Sequence, residues 1–193
     1  MNVFCNGGNN LNNKEASQRI WIVGPPGSGK TTLAHQLKQE LTLPHYELDA
    51  LFWQANWKKT DKPVFIDNVH EIVKQKKWVV DGQYSSVHHI LAEYADTIIW
   101  LDVKRRQTFP RLMKRTFKRL ITREKLWNGN KERMGNALQF FSYAFQVYPE
   151  VIHQNEKLFH KLKEESHVKC LRIDKRDDAD QVLMKIKNLE KKG

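Results

Sequence analysis

Two hydrophobic rhythms alternate along the chain. Short apolar runs occur at Arg19–Val23 (RIWIV), His45–Leu48, Trp78–Gly82 (WVVDG), Asp96–Val103 (DTIIWLDV) and Val168–Asp174 (VKCLRID). Their length, and the Gly, Pro and charged residues around them, predict five buried strands. Between them apolar positions recur at intervals of three and four, the period of amphipathic helices. Leu33, Ala34, Leu37 and Leu41 form one such face, closed by Pro44. Phe65, Val69, Ile72 and Val73 form another, opened by Thr60 or Asp61 as cap with Pro63 in its first turn. Further faces are Val87, Ile90, Leu91 and Tyr94, then Leu112, Met113, Phe117, Leu120 and Ile121. The stripe Ala137, Phe140, Phe141, Ala144, Phe145 and Tyr148 reads as core packing, interrupted or kinked near Pro149. Ala179, Val182, Leu183, Ile186 and Leu189 mark a last helix, while NGNKERMG at 128–135 reads as a loop.

Parallel strands need crossover connections, so this alternation predicts an α/β fold with a mostly parallel sheet covered on both faces. Ligands bind such sheets beyond the carboxyl ends of the strands. Gly24–Thr32, Asp49, Asp81 and Asp102 all fall at those ends.

Composition narrows the class. With 193 residues, 40% hydrophobic and 28% charged, one globular domain over 19–193 is expected, preceded by an Asn- and Gly-rich flexible tail over 1–18. No apolar run approaches the roughly 18 residues of a membrane span. The tail lacks the basic and apolar regions of a signal peptide. Cys5 and Cys170 form neither a disulfide framework nor a metal-ligand spacing, which favours a reducing, cytoplasmic setting. The formal charge is +11, and Lys104–Lys125 carries ten Lys or Arg against one Glu. Such a block serves as a solvated helix face, a phosphate clamp or a nucleic-acid patch.

The most specific signal is GPPGSGKTT: Gly24, Pro25, Pro26, Gly27, Ser28, Gly29, Lys30, Thr31 and Thr32. Gly24, Gly29, Lys30 and Thr31 satisfy G-x-x-x-x-G-K-[ST] between a predicted strand and a predicted helix, the context this motif requires. Glycines let successive N–H groups face phosphate oxygens, and the helix N-terminus adds its positive end. Lys30 is expected on the β- and γ-phosphates of ATP and the Thr31 hydroxyl on Mg²⁺. Two apolar strands end in a carboxylate suited to the metal, at Asp81 and at Asp102.

Taken together, GPPGSGKTTLA, LDALFW, WVVDGQYS, ADTIIWLD and the arginine-rich segment ending in NGNKER resemble a P-loop kinase of the nucleoside monophosphate kinase type. The closest likeness is to the DNA topology modulation (FlaR-related) and adenylate-kinase-related proteins. The resemblance covers about Arg19–Arg133 in matching order. It implies a five-stranded sheet of order 2-3-1-4-5 with a small lid over about 104–135. It also implies that Asp81 holds Mg²⁺ through water beside Thr31, and that Asp102 is structural. DGQYS stands where adenylate kinases carry an arginine, which argues against AMP as acceptor.

By the same resemblance Asp49 binds the acceptor hydroxyl or takes its proton, with Phe52, Trp53 and Trp57 lining the acceptor pocket. Arg115, Arg119 and Arg123 on the basic helix, with Arg133 from the lid, clamp the transferred group. The function expected is ATP- and Mg²⁺-dependent phosphoryl transfer to a small-molecule acceptor, a nucleotide or similar metabolite. The alternative is an ATP-binding regulatory protein whose basic segment holds nucleic acid.

Overall fold

The computed structural model describes residues 18–164, 168–174 and 181–186. Its five strands are β1 (Arg19–Val23), β2 (His45–Glu47), β3 (Trp78–Asp81), β4 (Thr97–Leu101) and β5 (Lys169–Ile173). They form one parallel sheet of order β2-β3-β1-β4-β5, the order the resemblance implied. The helices are α1 (Lys30–Leu41), α2 (Leu48–Phe52), α3 (Lys62–Val73), α4 (His88–Tyr94), α5 (Arg105–Thr122) and α6 (Met134–Glu164). A seventh helical stretch, α7, runs over 181–186.

The inner strands β1, β3 and β4 are buried at nearly every position rather than at every second one, as a sheet covered on both faces requires. Ile20, Ile22, Val79, Ile99 and Leu101 pack with α1 and with Val182, Leu183 and Ile186 of α7. Trp21, Trp78, Val80, Ile98 and Trp100 pack with α3, α4 and Leu162 of α6. The three tryptophans are fully buried, each removing on the order of 150–250 Å² from water. Ile22 and Glu47 both register with Asp81. Three strands therefore end at one level, and the loops that leave them share one rim.

Several boundaries differ from the sequence pattern. β2 stops at Glu47, so Leu48 and Asp49 begin a short helix instead of ending a strand. Leu48 is fully buried and packs so close to Gly82 that a Cβ there would stand 2.9 Å from its own. The expected faces of the basic and aromatic helices are only partly internal. On α5 the buried residues are Thr108, Leu112 and Thr116, whereas Phe117 and Ile121 are exposed. On α6, Ala137 and Ala144 are buried and Phe145 is largely exposed. The two helices meet each other through Phe109, Phe117, Phe141 and Phe145 at the edge of the molecule. α6 also runs through Pro149 without interruption and begins at Met134, inside the expected loop. The tail over 1–17, Ala179 and Leu189 lie outside the described residues.

Candidate active site

The chain leaves β1 at Val23 and enters α1 at Lys30 through the glycine-rich loop. Gly27 has φ +78°, and a Cβ there would stand 2.5 Å from the carbonyl oxygen of Thr108 in α5. The loop is thus pressed against α5 at a place where only glycine fits. Gly29, at φ 101°, caps α1 with no side-chain hydrogen bond, so the first-turn N–H groups lack an intrahelical partner. Ser28 Oγ is buried and makes no hydrogen bond. Phosphate oxygens would satisfy these donors together, so the loop fits a phosphate chain. Lys30 Nζ meanwhile donates to the carbonyls of Gly24 (2.8 Å) and Pro25 (3.1 Å). Burial lowers its pKa, and the nearby Asp81 and Asp49 carboxylates partly offset that effect. The loop borders a crevice of about 550 Å³ walled by Leu101, Val103, Arg111, Arg115, Ile173 and Gln181.

Asp81 closes β3 and is 3% exposed. Its Oδ1 lies 3.2 Å from His45 Nε2, while Oδ2 makes no hydrogen bond among the described residues. Thr31 sits in the first turn of α1. A hydroxyl and a hard carboxylate are donors that suit Mg²⁺, so Thr31 and Asp81 fit that ion. Asp102 is instead held by Arg172, whose Nη2 and Nε donate to its Oδ2 at 2.7 and 3.0 Å.

Asp49 lies in the first turn of α2. The Tyr84 hydroxyl donates to its Oδ1 at 2.6 Å, and Oδ2 makes no hydrogen bond among the described residues. Burial, with Asp49 beside it, pushes the Tyr84 pKa upward, so Tyr84 remains a donor. Arg115 feels Asp49, Glu132 and Glu47, while desolvation and the neighbouring Arg119 pull its pKa down. Lys30, Asp49, Asp81 and Arg115 consequently share one electrostatic neighbourhood.

Two short hairpin loops close over the Asp49 end. The first, Gln54–Lys58, and the second, Leu126–Asn130, each pair their end residues through backbone N–H···O=C bonds of 2.8 and 2.7 Å. Each has an asparagine at positive φ at its tip, Asn56 and Asn128. They clasp one another. Asn128 Nδ2 donates to the carbonyls of Ala50 and Trp53, and Asn130 Nδ2 to that of Gln54. The Trp57 N–H donates to Asn130 Oδ1, its indole N–H to the Lys131 carbonyl, and Trp127 Nε1 to Glu47 Oε2. Trp53, Trp57 and Trp127 run edge to face across the junction, and the Arg119 guanidinium lies 5.9 Å from the Trp127 ring centroid.

A model of the AAA domain family matches residues 20–134, more than half of the chain and the span from β1 through the clasp. The chain belongs to this family. Among solved structures, a gluconokinase from Sinorhizobium meliloti 1021 superposes with TM-score 0.54 at 16% identity, covering 93% of this chain and 97% of that one. A shikimate kinase from Aquifex aeolicus vf5 covers 90% and 97% at 14% identity, with TM-score 0.45. No curated protein sequence matches. At these identities the first superposition establishes the fold.

Within this AAA domain the structure gathers some of the residues the sequence singled out and separates others. Lys30, Asp49 and Asp81 lie at the rim where β1, β2 and β3 end, Arg115 lines the crevice beside the phosphate loop, and Arg119 lies against Trp127 of the clasp. Arg123, in a left-handed conformation after α5, and Arg133 are exposed and form no side-chain hydrogen bond or ion pair among the described residues. Phe52 packs on Phe65 and Tyr84, toward the core, while Trp53 and Trp57 face the clasp. Pattern reading missed Tyr84, Glu47, Asn128, Asn130 and Gln83. Gln83 accepts from the Gly24 N–H at 3.3 Å and donates through its amide to buried Asn155 of α6. Its place after DG, where the motif diverges from adenylate kinases, was the available signal. The others carry no periodic or spacing signature.

Proposed function

We propose that this protein is an ATP-dependent phosphotransferase acting on a small acceptor that carries a hydroxyl or similar oxygen nucleophile, a nucleotide or related metabolite. One observation carries the reading: Asp49, at the rim where β1, β2 and β3 end and the phosphate loop begins, has one carboxylate oxygen held by Tyr84 and the other without a hydrogen bond among the described residues. A loop that only bound nucleotide would need no such carboxylate. The gluconokinase fold and the resemblance to nucleoside monophosphate kinases support the same reading.

The loop amides and Ser28 hold the phosphate chain, and Lys30 turns from the Gly24 and Pro25 carbonyls to the transferring phosphate. Thr31 and Asp81 would hold Mg²⁺, which when bound neutralises charge on the phosphate oxygens. Asp49, with Oδ1 engaged by Tyr84, offers Oδ2 to the acceptor hydroxyl, orienting it and taking its proton as transfer proceeds. Arg115 and Arg119 balance the negative charge spread over the moving group. The clasped loops and their tryptophans exclude water, which favours transfer to the acceptor over hydrolysis.

The test is an ADP-release screen with ATP and Mg²⁺ across nucleosides, nucleotides and small hydroxylated metabolites, with Lys30→Ala as the blank. The expected result is one acceptor class whose release depends on both Lys30 and Asp49. Release that no acceptor raises above the blank would end the kinase reading. A nucleic-acid role draws support from the exposed Lys104, Arg106, Lys114 and Lys118 of α5. Salt titration tests it, because phosphate contacts give an affinity that falls steeply with salt.

A further inference from the structure

One cluster beside the crevice takes no part in phosphoryl transfer. His35 lies on α1 one turn beyond Thr31, and His45 and Glu47 lie on β2 at alternate positions, hence on the same face. Each offers a ligand atom, and the three atoms lie within 4.8 Å of one another. The two imidazoles stand edge to face with centroids 4.9 Å apart. Around zinc, N and O ligands at roughly 2.0–2.1 Å in tetrahedral array stand about 3.3 Å apart. Only a small inward adjustment is therefore needed, and exposed His35 is free to make it.

The groups behind these ligands are already in place. His45 has its side chain 4% exposed and its Nε2 on Asp81 Oδ1, which leaves Nδ1 as its free nitrogen. A histidine that ligates through one nitrogen and donates from the other to a carboxylate is the usual second-layer arrangement of a metal site. Glu47 is oriented in the same way, because Trp127 Nε1 donates to its Oε2 at 2.9 Å and leaves Oε1 free. Two aromatic nitrogens and one carboxylate favour a borderline transition ion over Mg²⁺, which prefers an all-oxygen set such as Thr31 and Asp81.

We propose that His35, His45 and Glu47 form a binding site for a divalent transition ion of the zinc class, with a fourth position open to water or a small ligand. Occupancy commits His45 to the Nε2–H tautomer and so directs its proton at Asp81. It also holds Glu47 toward β2, which steadies the hydrogen bond to Trp127 in the clasp. The site thereby connects α1, β2 and the second hairpin loop. Its occupancy is measured without turnover, so the proposal stands or falls apart from the kinase reading.

The test is calorimetric titration of the tag-free full chain with Zn²⁺ in excess Mg²⁺, repeated with Co²⁺ as an optical probe. Wild type is expected to bind one equivalent, and His35→Ala and Glu47→Gln should each weaken binding at least about tenfold. Zn²⁺ should raise the midpoint of thermal unfolding in wild type and not in His35→Ala. Nitrogen NMR of the histidine side chains, which needs no variant, should place the metal on His45 Nδ1. The site is overturned if stoichiometric binding is absent or both variants bind as wild type does. It is equally overturned if Co²⁺ shows a thiolate charge-transfer band or if the metal shift appears on other histidines.

Discussion

The phosphate loop around Lys30 presents largely main chain; the surroundings of Asp49 are made of side chains. The phosphate end uses loop amides, a glycine pressed against α5 and the start of one helix, all within nine consecutive residues. The Asp49 end draws on α2, Tyr84, Arg115 and two hairpin loops more than seventy positions apart. An anion as invariant as a phosphate chain can be met by backbone, and backbone geometry constrains residue type at once. An acceptor must be met by whatever side chains complement it, and these arrive from wherever the fold brings them.

Substitutions on the two sides should therefore behave differently. The largest effect is expected from Lys30→Ala, which should lower ATP-dependent turnover by at least about a thousandfold with circular dichroism unchanged. Next is Asp49→Asn, expected to cost about a hundredfold to ten-thousandfold in kcat while ATP affinity, measured by calorimetry, is kept. If ATP binding falls with it, the two ends are less separable than their construction suggests. Replacing Asn128 and Asn130 together by alanine removes four hydrogen bonds to α2 and the first hairpin loop, over residues 50–57. Each contributes about 0.5–1.5 kcal/mol. Faster amide exchange over 50–58 and a higher KM for acceptor than for ATP are expected. Tyr84→Phe, which removes only the hydroxyl on Asp49, should lower kcat severalfold and spare ATP affinity.

Proton titration provides the finest discriminator. Lys30 must be charged to hold a phosphate, and burial lowers its pKa below the ordinary 10.5. Activity in kcat/KM for ATP is expected at pH below that lowered value and should decline as pH rises through it. Bound phosphate favours the charged form, so the same alkaline limb in kcat should lie higher. Coincident limbs would argue against a Lys30–phosphate contact.

What was legible in the sequence follows the same division. A parallel sheet could be anticipated because unbroken apolar runs such as WVV and TIIWL suit strands covered on both faces, and its order came from the resemblance to P-loop kinases. Asp49 was picked out, but its helical setting was not, because a run as short as His45–Leu48 does not mark where the strand gives way to α2. Arg115, Arg119, Arg123 and Arg133 were picked out together. Arg115 and Arg119 lie on α5, Arg123 ends that helix in a left-handed conformation and Arg133 precedes α6; Arg119 is half-buried against the Trp127 ring, whereas the other three are exposed. Tyr84 and the clasp asparagines were invisible because their partners are distant in the chain.

The chemistry of the clasp also bears on how such a protein can diversify. Asn128 and Asn130 grip the main chain of α2 and the first hairpin loop, at Ala50, Trp53, Gln54 and the Trp57 N–H, and among the described residues they hydrogen-bond none of the side chains there. Residues such as Trp53 can thus be exchanged for others of different size or polarity while these four bonds persist. Under the proposed function, closure and acceptor choice would be held by separate atoms, so a lineage could retain the first while exploring the second.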